Sequence, residues 1–243
     1  MQLPIYFISD IHLLLQSSNN EDAKKEKLFL FMDEVKKSQG TLIINGDLFD
    51  FYFEYQHVIP KIYFDVYMAI SKLTESGVAI HYLLGNHDYW TMDFISETLN
   101  MTVHKDDIDF EINNKKFHIT HGDGLLSWER GYRFVKKILH SRLTIWLFRW
   151  LHPTLGYGIA EWVASRSRHF EHSKEHNDKV RKELIRIAAP IIESGVDYFI
   201  TGHYHQHTDE KIGNGRLIIL GEWIKTFSYA VFDGNDLILK KFK

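Results

Sequence analysis

The sequence predicts a mixed α/β (α+β) fold: a four-layer sandwich of two mixed β-sheets flanked by helices, one domain over 1–243, with a helical cap insert at about 128–170. Three observations carry this. Strand and helix patterns alternate in the first part of the chain. Hairpin patterns close it. Between these, five short apolar runs each stop abruptly at metal-binding side chains. The five are IYFISDIH (5–12), LIINGDLFD (42–50), IHYLLGNHD (80–88), FHITHGD (117–123) and YFITGHYHQH (198–207). A run of about five apolar residues closed by Gly or a polar residue reads as a buried strand. Ligands of open α/β sheets bind beyond the carboxyl ends of the strands. Here those ends carry Asp10, His12, Asp47, Asn86, His87, His121, His203 and His205.

In order, strand 4–8 leads through a loop to an amphipathic helix at about 21–37. Strand 41–45 follows, then a helix from about 60 to 75, with Pro60 suited to its first turn. Strand 79–84 and a short helix near 92–99 come next. Residues 108–112 and 116–120 flank Asn113-Asn114-Lys115 and read as a hairpin. The long helical insert begins after His121, and a further helix spans about 173–194. The remainder is β: 198–201, 208–212, a turn at Gly213-Asn214-Gly215, 216–220, 226–232, a turn at Asp233-Gly234, and 237–242.

Composition narrows the chemistry. The absence of cysteine excludes disulfides, thiolate catalysis and Cys–zinc sites, and fits a reducing compartment. No basic segment followed by a long apolar one opens the chain, so no signal peptide is read, and no run approaches the ~18 apolar residues of a membrane span. The net charge of −3 conceals an asymmetry. Residues 128–170 hold eight Lys/Arg against two Asp/Glu, so the insert is strongly basic and the rest of the chain acidic. The same segment holds Trp128, Trp146, Trp150 and Trp162. A basic, aromatic insert on an acidic body suits a partner that is both anionic and apolar.

The ligand types argue for metal. Asp10 and His12 are two apart, as are His203 and His205, and side chains two apart share a face of an extended strand. Asp47 can use both carboxylate oxygens and bridge two cations. Asn86 offers a neutral oxygen and His121 an imidazole. An ion takes four to six ligands, so this mixed set of seven with a shared Asp implies two divalent ions. Imidazole with carboxylate and no thiolate suits Mn²⁺ first, with Fe or Zn²⁺ also compatible, rather than Ca²⁺. Two such ions about 3.5–4 Å apart are the arrangement for in-line displacement at phosphorus.

D-x-H, G-D-x-x-D, G-N-H-D, H-G-D and G-H-x-H, in this order from residue 10 to 205, resemble the calcineurin-like metallophosphoesterase superfamily. The resemblance implies a β-sandwich flanked by helices. It implies that Asp10, His12, Asp47 and His205 hold one metal, and Asp47, Asn86, His121 and His203 the other. His87 would face the substrate and stabilise or protonate the leaving group, with Asp88 orienting it.

A narrower resemblance covers nearly the full length. GDLFDFYF, HGDGL, Gly131-Tyr132, SKEHN (173–177) and GEW (221–223) are similar to the UDP-2,3-diacylglucosamine pyrophosphohydrolases of lipid A biosynthesis. That family's helical insert after H-G-D caps the site and receives acyl chains. The resemblance implies substrate contacts from Asn86, His87, Glu129, Tyr132, Ser173 and Asn177, with a basic partner near Lys179. It implies hydrolysis at the α-phosphorus by a hydroxide held by the two ions, releasing UMP and the lipid monophosphate. The expected setting is cytoplasmic, held peripherally on the anionic cytoplasmic face of the inner membrane, with no nucleic-acid partner. His87 departs from that family's G-N-R-D and keeps the general superfamily pattern.

Competing readings are blander. Asp50 and Asp123 suit turns as well as support of ligands. His207 reads as a surface or supporting residue, and His81 and His118 as packed within strands. The insert's aromatics could form the core of a small cap, contact lipid, or leave its cations to grip a nucleotide's phosphates. A soluble nucleotide pyrophosphatase or phosphodiesterase is the alternative enzyme. A metal-free interaction scaffold is opposed by the intact ligand set.

Overall fold

The computed structural model describes residues 1–167 and 173–243, leaving His169, His172 and the last residues of the expected insert outside the described residues. One sheet is built from β1 (Ile5–Ile8), β2 (Thr41–Asn45), β3 (Ala79–Leu83), β4 (Thr102–His104), β10 (Ser228–Phe232) and β11 (Leu237–Lys241). The other is built from β5 (Ile108–Ile112), β6 (Lys115–Thr120), β7 (Tyr198–Thr201), β8 (His207–Ile212) and β9 (Gly215–Leu220). Their orders are β11-β10-β1-β2-β3-β4 and β5-β6-β7-β9-β8. In the first, β1 to β4 run parallel, and β10 joins β1 antiparallel. In the second, β6, β7 and β9 run parallel, with β5 and β8 antiparallel at the edges. Both sheets are therefore mixed, and the five motif-bearing strands end on one side of the molecule.

Strand periodicity sorts the core into layers. Ile5 and Phe7 point toward the second sheet, where they meet Phe117, Ile119 and Ile200. Tyr6 and Ile8, on the opposite face, pack under α1 (Asn19–Ser38) and α2 (Phe64–Glu75) against Phe31, Val35 and Ile70. Because both faces are covered, the strands read as continuous apolar runs rather than alternating ones. On the far side α6 (Lys174–Glu193) lays Val180, Leu184, Ala188 and Ile192, spaced by four, on Phe199, Leu217 and Ile219. The order of layers is helix, sheet, sheet, helix.

The insert folds as three helices, α3 (Arg130–Leu139), α4 (Arg142–Arg149) and α5 (Pro153–Ser167). Ser141 caps α4, its Oγ accepting the Thr144 amide at 3.2 Å, and Pro153 opens α5. No residue of α3 or α4 is fully buried, so the insert's aromatics are not simply the closed core of a small cap. Its inner side is anchored on the body by Phe148, whose ring lies 4.6 Å from that of Phe53 and 4.9 Å from that of Trp90. The Trp90 indole N–H also donates to the Leu139 carbonyl at 3.0 Å.

Three details differ from the expectation. The short helix near 92–99 is a π-type turn, Phe94–Thr98, because the Glu54 carboxylate takes the Met92, Asp93 and Phe94 amides and dictates how it begins. The helix at 60–75 starts as a 3₁₀ turn, Lys61–Tyr63, before α2. Strand β4 was not expected. Its three residues are too few to show a period, and its pairing with β3 is what makes it a strand.

Phe117 is buried between the sheets, its ring 6.1 Å from Phe7, 4.9 Å from Tyr198 and 5.0 Å from Phe232. Phe117→Ala should lower unfolding stability by about 3–5 kcal/mol. Trp150→Ala, at a side chain 75% exposed, should change it by less than about 0.5 kcal/mol. Urea unfolding of the two variants checks the contrast.

Candidate metal centre

The loops beyond the strand ends converge on one buried cluster. Asp10 follows β1, and its carboxylate is fully buried. One oxygen, Oδ2, accepts from the Ser9 hydroxyl at 2.6 Å and the His203 amide at 2.8 Å. The other, Oδ1, is buried with no hydrogen-bond partner. It lies 3.3 Å from His205 Nε2 and 3.7 Å from His12 Nε2, and those two nitrogens are 3.3 Å apart. Asp47, beyond β2, directs Oδ2 to 3.3 Å from His121 Nε2 and 3.7 Å from His12 Nε2. Asn86 Oδ1 stands 3.3 Å from His121 Nε2. Asp10, His12 and His205 thus form one donor group, and Asp47, His121 and His203 another, with the Asp47 carboxylate reaching both. A buried carboxylate oxygen without a donor, among imidazole nitrogens close enough to share an ion, is the arrangement that two divalent cations fit.

Neighbours fix the rings. His121 Nδ1–H donates to the Asn45 carbonyl at 2.8 Å, leaving Nε2 to face Asp47. His87 Nδ1–H donates to the Asp50 carbonyl at 2.6 Å, and its ring meets the His12 ring edge-on at 4.8 Å. Asp88 does not perform the expected orientation of His87. Its carboxylate takes the Leu48 and Gly85 amides, both at 2.8 Å, and the Tyr82 hydroxyl, so it ties the loops after β2 and β3 together. Burial, with the Asp47 carboxylate next, pushes the Asp88 carboxyl up to about 6.

The expectation that period two aligns each Asp-x-His and His-x-His pair fails in its mechanism. Asp10, His12, Asp47, His203 and His205 all have positive φ, between 47° and 63°, so none is extended strand. Asp and His are among the non-glycine types that tolerate this region, at a cost. The turn is held by hydrogen bonds: Ile11 and His12 both donate their amides to the Asp47 carbonyl at 2.9 Å. Two motif glycines admit the close approach. A Cβ on Gly46 would stand 2.1 Å from the His121 ring, and one on Gly85 would stand 2.1 Å from Asp47 Oδ1.

The charges are strongly coupled. Burial alone would push the Asp10 and Asp47 carboxyls up. The imidazoles of His205 and His12 outweigh this at Asp10, and those of His121 and His87 at Asp47, holding both well below the usual carboxylate range. Burial pulls His121 down, but the Asp47 carboxylate raises it well above an ordinary imidazole. At His203 burial dominates, with His121 adding to it, and the pKa falls to about 4.

The other residues expected to touch substrate lie at or near the starts of α3 and α6. The Tyr132 ring is 6.3 Å from that of His203, and its hydroxyl donates to Asp123 Oδ2 at 2.8 Å. Glu129 accepts the Leu126 amide at 3.0 Å. Ser173 caps α6, accepting the His176 amide at 3.2 Å. The Asn177 carbonyl receives the Gln206 side chain at 3.2 Å, and Lys179 lies over the Trp128 ring at 4.4 Å. Sequence reasoning missed Ser9, Asn45 and Lys24. Asn45, a polar residue closing an apolar strand, donates from Nδ2 to the Thr120 carbonyl at 3.0 Å and joins the two sheets. Buried Lys24 donates to the His12 carbonyl at 2.7 Å.

A family model, calcineurin-like phosphoesterase, matches residues 3–207. The chain is 30% identical to the UDP-2,3-diacylglucosamine hydrolase of Porphyromonas gingivalis, over 99% of this chain and 98% of that protein. It is 29% identical to the protein of the same name from Neisseria meningitidis serogroup B, over 97% and 96% of the two chains. Among solved structures, an archaeal phosphodiesterase superposes with a TM-score of 0.50 at 15% identity, over 98% of this chain and 99% of that one, a likeness of fold.

Titration of metal-free protein with Mn²⁺ should reach two ions per chain, and Asp47→Ala should weaken loading by far more than the roughly 10–100-fold typical of a supporting residue. Saturation at one ion, with Mn²⁺ in excess, overturns the two-ion reading. Because His121 and His205 are both raised and must be neutral to bind, loading near pH 7 should release protons and tighten as pH rises. His203, already neutral there, should contribute none. Calorimetry in buffers of different ionisation enthalpy reads this directly.

Proposed function

This chain belongs to the calcineurin-like phosphoesterase family and is a hydrolase, and from that premise we propose that it cleaves the pyrophosphate bond of UDP-2,3-diacylglucosamine, giving UMP and the acylated sugar monophosphate. The observation that supports this substrate is the insert. Among the described residues, thirteen of the twenty-one exposed large hydrophobic side chains fall between Trp128 and Trp162, beside a centre built for phosphoryl chemistry. A hydrolase of soluble nucleotides has no use for so much exposed apolar surface, whereas a diacylated substrate does. The relatives that carry the same substrate in their names match this chain over nearly its whole length, insert included.

Family members use a dinuclear divalent centre. Here Asp10, His12 and His205 would hold one ion, Asn86, His121 and His203 the other, and Asp47 both, with Mn²⁺ the proposed metal. When bound, the ions supply Lewis-acid charge for a phosphoryl group and for water. The chain's own residues do the rest. His87 has spent Nδ1–H on the Asp50 carbonyl, so the proton it can donate is on Nε2, toward charge developing on phosphoryl or leaving oxygen. The Asp47 carboxylate accepts the His87 amide at 3.0 Å and holds that residue beside the centre. Tyr132 and Asn177 are proposed to orient the nucleotide or sugar, with Glu129 and Ser173 shaping the turns that carry them. No helix among the described residues is long and apolar enough to cross a membrane. Peripheral attachment through the insert, at the cytoplasmic face of the inner membrane, is the proposed mode of access.

A matched pair tests the substrate. UDP-2,3-diacylglucosamine should be cleaved with far higher catalytic efficiency than UDP-N-acetylglucosamine, since each buried CH₂ contributes roughly 0.8 kcal/mol. Similar efficiencies would transfer the assignment to a soluble nucleotide pyrophosphatase. His87→Ala should retain both metals and lose on the order of 10²–10⁴ in turnover. Near-normal turnover, or loss of metal, refutes the role given to His87.

A further inference from the structure

We propose that a second site, separate from the metal centre, binds the phosphate-bearing headgroup of an anionic lipid in the groove between α4 and the loops after β3 and β4. The groove encloses about 560 Å³ and is lined by Lys105, Arg142 and Arg149, with Tyr89, Leu143 and Trp146 among its walls. Arg142, Trp146 and Arg149 fall at i, i+4 and i+7 of α4 and so share one helical face. Lys105, just beyond β4, faces them from the edge of the first sheet.

Three features point to an anionic ligand. Among the described residues no carboxylate lines the groove, although Asp106 and Asp107 follow Lys105 directly. Among the described residues, the side chains of Lys105, Arg142 and Arg149 make neither hydrogen bond nor ion pair. Arg149 Nε is buried without an acceptor, an unfavourable state unless a ligand supplies one. Guanidinium groups match phosphate oxygens in a planar, two-pronged geometry. The apolar side argues that the phosphate belongs to a lipid. Leu143 is 65% and Trp146 54% exposed beside the cations, and Trp146 meets Trp150 edge-on at 5.8 Å. Tryptophan with arginine is the pairing suited to the boundary between headgroups and acyl chains. None of the candidate metal ligands lines the groove. Its link to the centre is Tyr89, two residues after His87, whose ring stacks on His140 of the insert at 3.5 Å.

The inference rests on the insert facing a membrane but not on which nucleotide is cleaved, so it is tested without substrate. Metal-loaded full chain is sedimented with vesicles of phosphatidylcholine alone and of phosphatidylcholine with phosphatidylglycerol. The parent should bind only the anionic vesicles, and less as salt rises. The double variant Arg142→Gln/Arg149→Gln should bind them about 30-fold more weakly, at about 1 kcal/mol per cation. The variant Arg130→Gln/Lys137→Gln removes equal charge from the insert outside the groove, and should lose clearly less. Far-UV circular dichroism and metal content of both variants should match the parent. Equal losses from the two pairs, or equal binding to both vesicle types, overturns the site. Calorimetry with glycerol phosphate separates the sources. If it binds the parent as tightly as lipid phosphate does, the groove takes a free phosphate and the lipid assignment is overturned.

Discussion

The position of one carboxylate, that of Asp47, is the constraint on which the rest of the centre depends. Its backbone is left-handed, with φ at 53°. Its carbonyl accepts the amides of Ile11 and His12, its Oδ1 the amide of His87, and its Oδ2 lies between His12 and His121. Four of the five motif loops therefore answer to one residue directly or through a ring. The fifth, at 202–205, is tied in through Asp10, whose Oδ2 accepts the His203 amide. Removing any of these ties leaves a buried charge with fewer donors, which costs far more than the loss of an exposed one.

Such a cluster works against folding. Two carboxylates are fully buried, and five of the candidate ligands hold backbone angles that cost about 1–3 kcal/mol each. What offsets it is the four-layer core on which the loops stand. Residues on both faces of β1, β2 and β3 are packed, and the ends of β2 and β6 are cross-linked by Asn45. Polar residues outside the donor set hold the loops in turn. Glu54 gathers three amides of the loop after His87, Glu222 gathers those of Ile224, Lys225 and Thr226, and Asp88 joins two loops through its carboxylate. Strain at the site and rigidity beneath it are one design, since a bistable or mobile support would release the angles that aim the ligands.

Much of this was legible in the sequence because it rests on residue type. Apolar runs ending at Asp, Asn or His mark both the strands and the donors, since a strand buried on both faces can show little but apolar residues. The donors' conformations were not legible. Spacing of two suggests one face of an extended strand, yet Asp10 and His12 reach one place through left-handed backbone, and only the tertiary hydrogen bonds to the Asp47 carbonyl select that. Backbone partners are equally silent. Nothing in the string of residues says that the Asp50 carbonyl rather than the Asp88 carboxylate aims His87. Strand β4 was missed for a related reason, since a three-residue edge strand is defined by its neighbour.

The insert shows where pattern and environment part. Its mixture of tryptophan, leucine and arginine fits a closed cap, a lipid contact or a phosphate grip equally well, because periodicity reports which residues share a face and not what that face meets. Exposure removes the first of these. Phe148 and Tyr157 turn inward, where Phe148 packs against Phe53 and the Tyr157 hydroxyl donates to the Phe53 carbonyl at 2.5 Å, and they fasten the insert to the loop after β2. Phe134, Leu143, Trp146 and Trp150 are left facing outward. The fastening loop is the one that also supplies Asp47 and Asp50, so the apolar surface and the charged centre share a single mechanical frame. For the proposed substrate, a lipid at one end and a nucleotide diphosphate at the other, such a frame would meet the central difficulty of the reaction. Apolar binding far from the scissile bond contributes to rate only if it fixes the phosphorus relative to the attacking and donating groups.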